Sequence, residues 1–220
     1  QNLIKTCIKS DHLNQISGHR ILSELSHITE EANYIATTKL LSSLGILSAI
    51  HPKLEISDAL LDRLNQLQNL SKSDPSKLLN LLFSDINTEN ITSICSRLDL
   101  NPKTKQILYD VQTIKQTSKY LSRSNILNSE LMINLDKLDI EAVSLMQIIG
   151  GSESLRGNLS KFLEKLRFIK PKIEPQQIIS LGISPGPQIG ALLADVRLAI
   201  ADGILKTETE EKQFILDKIQ

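Results

Sequence analysis

The chain has no tryptophan, and only four Phe and three Tyr occur among its 220 residues. Val is scarce as well, so the residues that suit a pleated, half-buried surface are thinly supplied. Leu and Ile carry most of the 40% hydrophobic content, which excludes a sheet-dominated fold and favours Leu-rich helices. Cys7 and Cys95 are the two cysteines, and their spacing excludes a disulfide scaffold, a metal knuckle or a redox pair. No apolar run reaches the roughly 18 residues of a membrane span, and no secretory apolar segment is present in these residues. A soluble, reduced, cytoplasmic protein with no membrane partner is the expectation. The first residue is Gln rather than Met, which suggests a piece of a longer chain.

Net charge is lacking too: 25 basic and 25 acidic side chains cancel, which argues against a uniformly basic nucleic-acid binder. The cancellation hides a segregation. Between Asn101 and Ser124, Lys103, Lys105, Lys115, Lys119 and Arg123 face Asp110 alone. Between Arg156 and Lys172, six basic residues face Glu164 alone. From Asp195 onward the balance reverses, with Asp202, Glu208, Glu210, Glu211 and Asp217 also present.

Catalytic constellations are missing. Nucleotidyl transfer needs close carboxylates to hold Mg²⁺, often as Asp-x-Asp, and that pattern does not occur. Asp58 and Asp62 share a helix face but read as a solvated one. There is no phosphate loop and no dinucleotide fingerprint. His12, His19, His27 and His51 are scattered and read as structural or surface residues, and Cys95 with Ile91, Ile94 and Leu98 reads as core. No catalytic residue and no metal ligand is assigned.

What is present reads as helix after helix, so the predicted fold class is all-α: an irregular multi-helix array without a sheet. Helical periodicity covers 18–29 with Ser17 as cap, 32–44 ending at Gly45, 46–50, 56–70, 75–83, 87–98, 103–121, 129–135 and 140–149. Ser71–Asp74 is a polar break, and Gly150-Gly151 is the best internal boundary. Beyond it the pattern predicts one helix over 152–169, a bend at 171–175, a short helix to Leu181 and a helix over 187–201. Thr207-Glu208-Thr209-Glu210 then fits a capping box. No fixed-period repeat is apparent. The domain division read from this is 1–52, 53–150 and 151–220.

Two features could meet an anion. On the 103–121 helix, Ile107, Val111, Ile114 and Leu121 form an apolar face, with Lys105, Lys115, Lys119 and Arg123 in a sector of about 80° beside it. Such a stripe could track a phosphate backbone, or be a solvated face. Lys161, Lys165, Arg167, Lys170, Lys172 and Arg156 are spread around their own helix and make a weaker case. Tyr109 and Tyr120 could stack on bases or pack in a core. The second feature is Leu181-Gly182-Ile183-Ser184-Pro185-Gly186-Pro187-Gln188-Ile189-Gly190, where Gly182 and Gly186 can take positive φ and Pro187 suits a first helical position. Its free N–H groups could receive a phosphate oxygen, or its glycines could permit close packing.

This turn resembles the entry to the tail of bacterial tRNA nucleotidyltransferases of the poly(A)-polymerase-like superfamily. Ser17-Gly18-His19-Arg20-Ile21-Leu22-Ser23-Glu24-Leu25 is similar to the family's Ser-x-x-Arg-Ile-x-x-Glu-Leu element at the end of its neck. Leu44-Gly45-Ile46-Leu47 and Ile50-His51-Pro52-Lys53-Leu54 resemble its continuation. Leu166-Arg167, Lys170-Pro171, Ala201-Asp202-Gly203 and Thr207–Glu211 resemble parts of the tail, whereas 56–150 matches in helical texture alone.

The resemblance implies the end of the neck, the body and the tail of a class II (CCA-adding type) enzyme. The family's catalytic head, with its Mg²⁺-binding Asp pair, would lie upstream of residue 1, so no cofactor is expected in this chain. Residues that separate CCA-, A- and CC-adding enzymes from poly(A) polymerases would lie upstream as well. Arg20 and Glu24 match a neck element that supports the nucleotide-binding helices structurally. The implied partners are the acceptor and T arms of tRNA and the chain's own head. The expected phosphate contacts are Lys105, Lys115, Lys119, Arg123, Arg156, Lys170, Lys172, Gly186 and Gln188, with the acidic last helix facing away from RNA. The chain alone is expected to be inactive. The alternative is an all-α interaction or oligomerisation module without RNA binding.

Overall fold

In the computed structural model, which describes residues 8, 12–70 and 75–219, helices follow the apolar periodicity closely. They are α1 (Gly18–Glu30), α2 (Tyr34–Ser43), α3 (Ile46–Ile50), α4 (Asp58–Leu70), α5 (Pro75–Leu82), α6 (Thr88–Leu98), α7 (Pro102–Leu121), α8 (Asn128–Leu135), α9 (Ile140–Ile149), α10 (Glu153–Glu164), α11 (Pro175–Ser180), α12 (Pro187–Ala201) and α13 (Glu208–Ile219). Single 3₁₀ turns cover His12–Gln15 and Leu166–Phe168. No strand occurs among the described residues, so the fold is all-α. Cys7 and the polar break at Ser71–Asp74 lie outside the described residues.

Local chemistry sets several ends. Asn87 accepts a hydrogen bond from the Asn90 N–H, and Ser152 accepts one from Leu155. The capping box is formed: Thr207 Oγ1 accepts from the Glu210 N–H at 3.2 Å, and Glu210 Oε2 accepts from the Thr207 N–H at 3.0 Å. Gly45 follows α2 with φ 75°, the left-handed step that a glycine takes cheaply. Ser17 occupies the cap of α1 in an extended conformation, but its side chain makes no cap hydrogen bond.

The helix predicted over 152–169 is broken. Lys165 leaves the helical region at φ −130°, ψ −61°, and Leu166–Phe168 tighten into the 3₁₀ turn. Pro171 has no N–H for the Arg167 carbonyl and disfavours helical geometry at Lys170, so the α-helix stops early.

Two compact units result: residues 1–118 with 139–151, and residues 119–138 with 152–220. In the first, α1 packs on α5 and α6, α4 packs on α5, and α9 packs on both α4 and α5. Its core includes Leu60, Leu64, Leu78, Phe83, Ile91, Ile94, Leu98, Ile107, Val111 and Ile114, all essentially inaccessible. Each such Leu or Ile contributes about 1.5–3 kcal/mol through removal from water. Cys95 is buried among them. In the second unit, α8 packs on α10 and α12, and α12 also packs on α11 and α13. Ile173, Ile178, Ile189, Leu192, Val196 and Ile215 form the centre of its core.

A close approach fixes how α1 enters the first unit. A Cβ on Gly18 would lie 2.2 Å from the Arg97 carbonyl oxygen and 2.8 Å from the Leu98 carbonyl carbon. Only a residue without a side chain lets the start of α1 rest on the end of α6. Arg97 then ties down the preceding turn, donating to the carbonyls of Leu13 at 2.7 Å and Ile16 at 3.3 Å.

Candidate nucleic-acid interface

The apolar face read on the 103–121 helix is real: Ile107, Val111, Ile114 and Leu121 are all buried. The cations beside it have unequal surroundings. Lys105 is half-buried near the Cys95 thiol, whose pKa burial raises and the Lys105 charge lowers. Lys115 is engaged: its Nζ donates to the Ser84 carbonyl at 2.8 Å and pairs with Asp85 at 3.0 Å. Arg63 forks onto the same carboxylate. Burial pulls the Asp85 carboxyl upward, but the Arg63 hydrogen bond and the two nearby cations more than offset it. Asp85 therefore sits below the ordinary carboxylate range.

Lys119 and Arg123 belong to the second unit. Lys119 is exposed in the last turn of α7. Arg123 lies past the helix end, 3.9 Å above the Tyr120 ring and 3.2 Å from Glu130. Tyr120 donates its hydroxyl to Glu130 at 2.6 Å, a bond that raises the phenol pKa and lowers that of the carboxyl. In the first unit, the Tyr109 hydroxyl instead bonds Thr92 at 2.8 Å.

The remaining expected contacts are on the second unit. Arg156 is exposed in the first turns of α10, and Lys170 is exposed in the connection after the 3₁₀ turn. Lys172 is exposed too, but its Nζ donates to the Lys206 carbonyl at 3.0 Å, beside the acidic helix α13. That helix spends its acids internally. Glu211 is buried and accepts from the N–H groups of Lys172 and Ile173, and Glu208 pairs with Lys212.

Gly186 and Gln188 stand exposed at the start of α12. Gly182 has φ 94°, a left-handed geometry that favours glycine, and it ends α11 as expected. Gly186 differs: with φ 161° and ψ −173° its backbone is extended, a conformation open to any residue. Close packing is not the reason for these glycines either, since a Cβ at Gly182, Gly186 or Gly190 would meet open space.

Two further surfaces escaped the motif reading. In the first unit, a cleft of about 390 Å³ is lined by apolar side chains including Ile16, Leu25, Ile28 and Leu41. Arg20 and Glu24, one turn apart on α1, line it as well. In the second unit, Phe168 is 60% exposed, with the Arg167 guanidinium 4.7 Å above its ring. The local signal for it was an aromatic between cations, Lys165-Leu166-Arg167-Phe168-Ile169-Lys170, but helical periodicity alone cannot say which side faces water. Among the described residues, no three His, Cys, Asp or Glu side chains gather to hold a metal ion, and no helix is long and apolar enough to cross a membrane.

No family model matches the chain. An A-adding tRNA nucleotidyltransferase of Geobacter sulfurreducens is 25% identical over 231 residues, spanning 97% of this chain and 26% of that protein. A CCA-adding enzyme of Thermotoga maritima, solved in complex with tRNA, superposes with a TM-score of 0.76 at 17% identity, over 98% of this chain and 55% of that one. A CCA-adding enzyme solved with CTP gives a TM-score of 0.77 at 17% identity, over 98% and 54%. The chain thus spans about a quarter of the curated relative and about half of these solved chains. The similarity covers nearly the whole chain, and so extends into 56–150, where motifs gave only helical texture; it bears out the resemblance read from residues 17–25 and 181–193: this chain is a relative of the tRNA nucleotidyltransferases.

Proposed function

We propose that this chain is the body and tail of a tRNA nucleotidyltransferase and grips tRNA through its phosphate backbone, while nucleotide addition belongs to a catalytic head outside these residues. The observation that carries this is the match over 98% of the chain to an enzyme solved with tRNA bound. Exposed cations support it: Lys119 and Lys170 can each neutralise a phosphate and release counterions, and Arg156 is exposed as well. The start of α12 at Gly186 and Gln188 offers N–H groups to the same backbone. Lys105 is a weaker contact because it is half-buried, and Lys115, Arg123 and Lys172 have intramolecular partners to give up first. The apolar cleft edged by Arg20 and Glu24 fits a support for the neck, and a cytoplasmic location fits tRNA as partner.

Binding of tRNA as a function of salt tests the reading. Micromolar affinity that falls steeply with salt, and falls further in Lys119→Glu/Lys170→Glu, is the expected result. No binding at low salt overturns it in favour of the interaction module, for which exposed Leu127, at the N-terminal cap of α8, and Ile133, on α8, would be the contact residues. With tRNA, Mg²⁺, CTP and ATP, the chain alone is expected to incorporate no nucleotide.

A further inference from the structure

Phe168 presents an exposed aromatic ring in the most cationic stretch of the second unit. Its backbone is held rather than loose. The Arg197 guanidinium donates to the carbonyl of Ile169 at 2.9 Å and to that of Arg167 at 3.4 Å, so it grips the chain on both sides of Phe168. Asp136 in turn takes the Arg197 guanidinium in a two-point pair. Leu166, two residues before, is 3% exposed and anchors the turn in the core. Ile169 N–H closes it onto the Leu166 carbonyl at 3.1 Å. A turn tethered in this way could have turned the ring inward, yet the ring stands 60% exposed with a guanidinium on one face.

The charge around it identifies what covers it. Lys161, Lys165, Arg167 and Lys170 are all exposed and Glu164 is the one acid in that stretch, while the nearby Asp136 is matched by Arg197. A protein partner seeking an apolar contact would have to desolvate these cations. A polyanion carrying flat apolar faces satisfies both the ring and its surroundings.

We infer that Phe168, backed by Arg167 and held out by the Arg197–Asp136 clamp, is a stacking platform for an unpaired or terminal nucleobase face of the bound RNA. This deepens the proposed function and rests on it. Lys165 and Lys170 hold the adjoining phosphates, and the ring receives the base that those phosphates carry. Base–aromatic stacking tolerates any sequence because every base has a π-face. The platform therefore adds affinity without reading sequence. The rigid backbone means little is spent on ordering the ring at the moment of binding.

The test uses the absence of tryptophan from the chain. In Phe168→Trp the indole is the sole tryptophan emitter, and its fluorescence is expected to be quenched on titration with tRNA. Phe168→Ala is expected to bind tRNA roughly tenfold more weakly, with the salt dependence unchanged and with Phe168→Tyr restoring affinity. Lys165→Ala/Lys170→Ala is expected instead to flatten the salt slope by about two phosphates' worth. Because Phe168 is exposed, unfolding curves of all these variants should overlay the parent's. Parent-like binding by Phe168→Ala, or unquenched emission from Phe168→Trp at saturation, overturns the platform while leaving the tRNA grip intact. If the parent itself fails to bind tRNA, the grip and the platform fall together.

Discussion

Lys115 and Asp85 form an ion pair at 3.0 Å between side chains 30 residues apart, in the middle of what the sequence presents as a free cationic stripe. The Lys115 ammonium also donates to the carbonyl of buried Ser84 at 2.8 Å, which accepts from Gln112 Nε2 at 2.9 Å as well. Its position therefore serves the join between α5 and α7, and Arg63 completes the arrangement from α4.

Lys115→Ala should accordingly act on stability. The group is about one-third exposed, so the loss is modest, about 1 kcal/mol in urea unfolding. The salt slope of tRNA binding should stay at the parent value. A slope reduced by one phosphate in this variant would show that Lys115 leaves Asp85 to meet RNA.

Gly18→Ala places a methyl group 2.2 Å from a main-chain oxygen that sits in a helix end and cannot swing aside. Backbone displacement between α1 and α6 should cost about 3 kcal/mol. Chemical denaturation of the two variants Gly18→Ala and Gly157→Ala makes the comparison internal, because a Cβ at Gly157 meets open space. Equal midpoints for the two would contradict the close approach.

His51 gives a pH dependence of known sign. Its Nε2 shares a hydrogen bond with the Ser93 hydroxyl at 2.9 Å, and its Nδ1 accepts from the Lys53 N–H at 3.2 Å, which requires an unprotonated Nδ1. Burial, aided by the Lys53 charge, pushes the imidazole pKa below its usual value of 6.5. The unfolded chain thus binds the proton more readily than the folded one. The stabilisation is fully present above the ordinary histidine pKa and is lost as pH falls through the lower folded value. Thermal unfolding from pH 7.5 to 5 should show this loss, and His51→Gln should flatten that part of the profile. An unchanged profile in the variant would remove His51 as its source.

Glu211→Ala should be among the more damaging changes in the second unit. It strips an acceptor from the N–H groups of Lys172 and Ile173, at 2.8 and 2.9 Å, where Glu211 is 1% exposed. Leaving these donors unpaired costs about 2–3 kcal/mol, and Glu211→Gln, which keeps an oxygen there, should cost less. Equal unfolding midpoints for the two variants would argue against the acceptor role.

The helices were legible because their cause is local. The spacing of Ile107, Val111, Ile114 and Leu121 marks a buried face before any partner is known, and Thr207 with Glu210 makes a capping box within four residues. Failures of the same reading have causes that are not local. The break at Lys165 combines a downstream proline with the Arg197 guanidinium from α12, and no window over 152–169 contains both. The conformations of Gly182 and Gly186 differ although the same letter stands at both positions, because only the first must reverse a helix end.

The candidate site divides along the same line. Which residues carry positive charge, and the motifs that relate the chain to tRNA nucleotidyltransferases, are properties of the sequence by itself. Which of those charges can meet an anion is decided by tertiary structure. Lys115 is taken by Asp85, 30 residues away, and Lys172 is drawn to the Lys206 carbonyl, 34 residues away, while Lys119 and Lys170 stay exposed. Phe168 follows the same rule: its identity is in the sequence, but its exposure depends on a clamp from Arg197 and Asp136 that only folding brings to it. Helix formation sums interactions within a few residues, whereas the availability of a side chain depends on every group that folding places beside it.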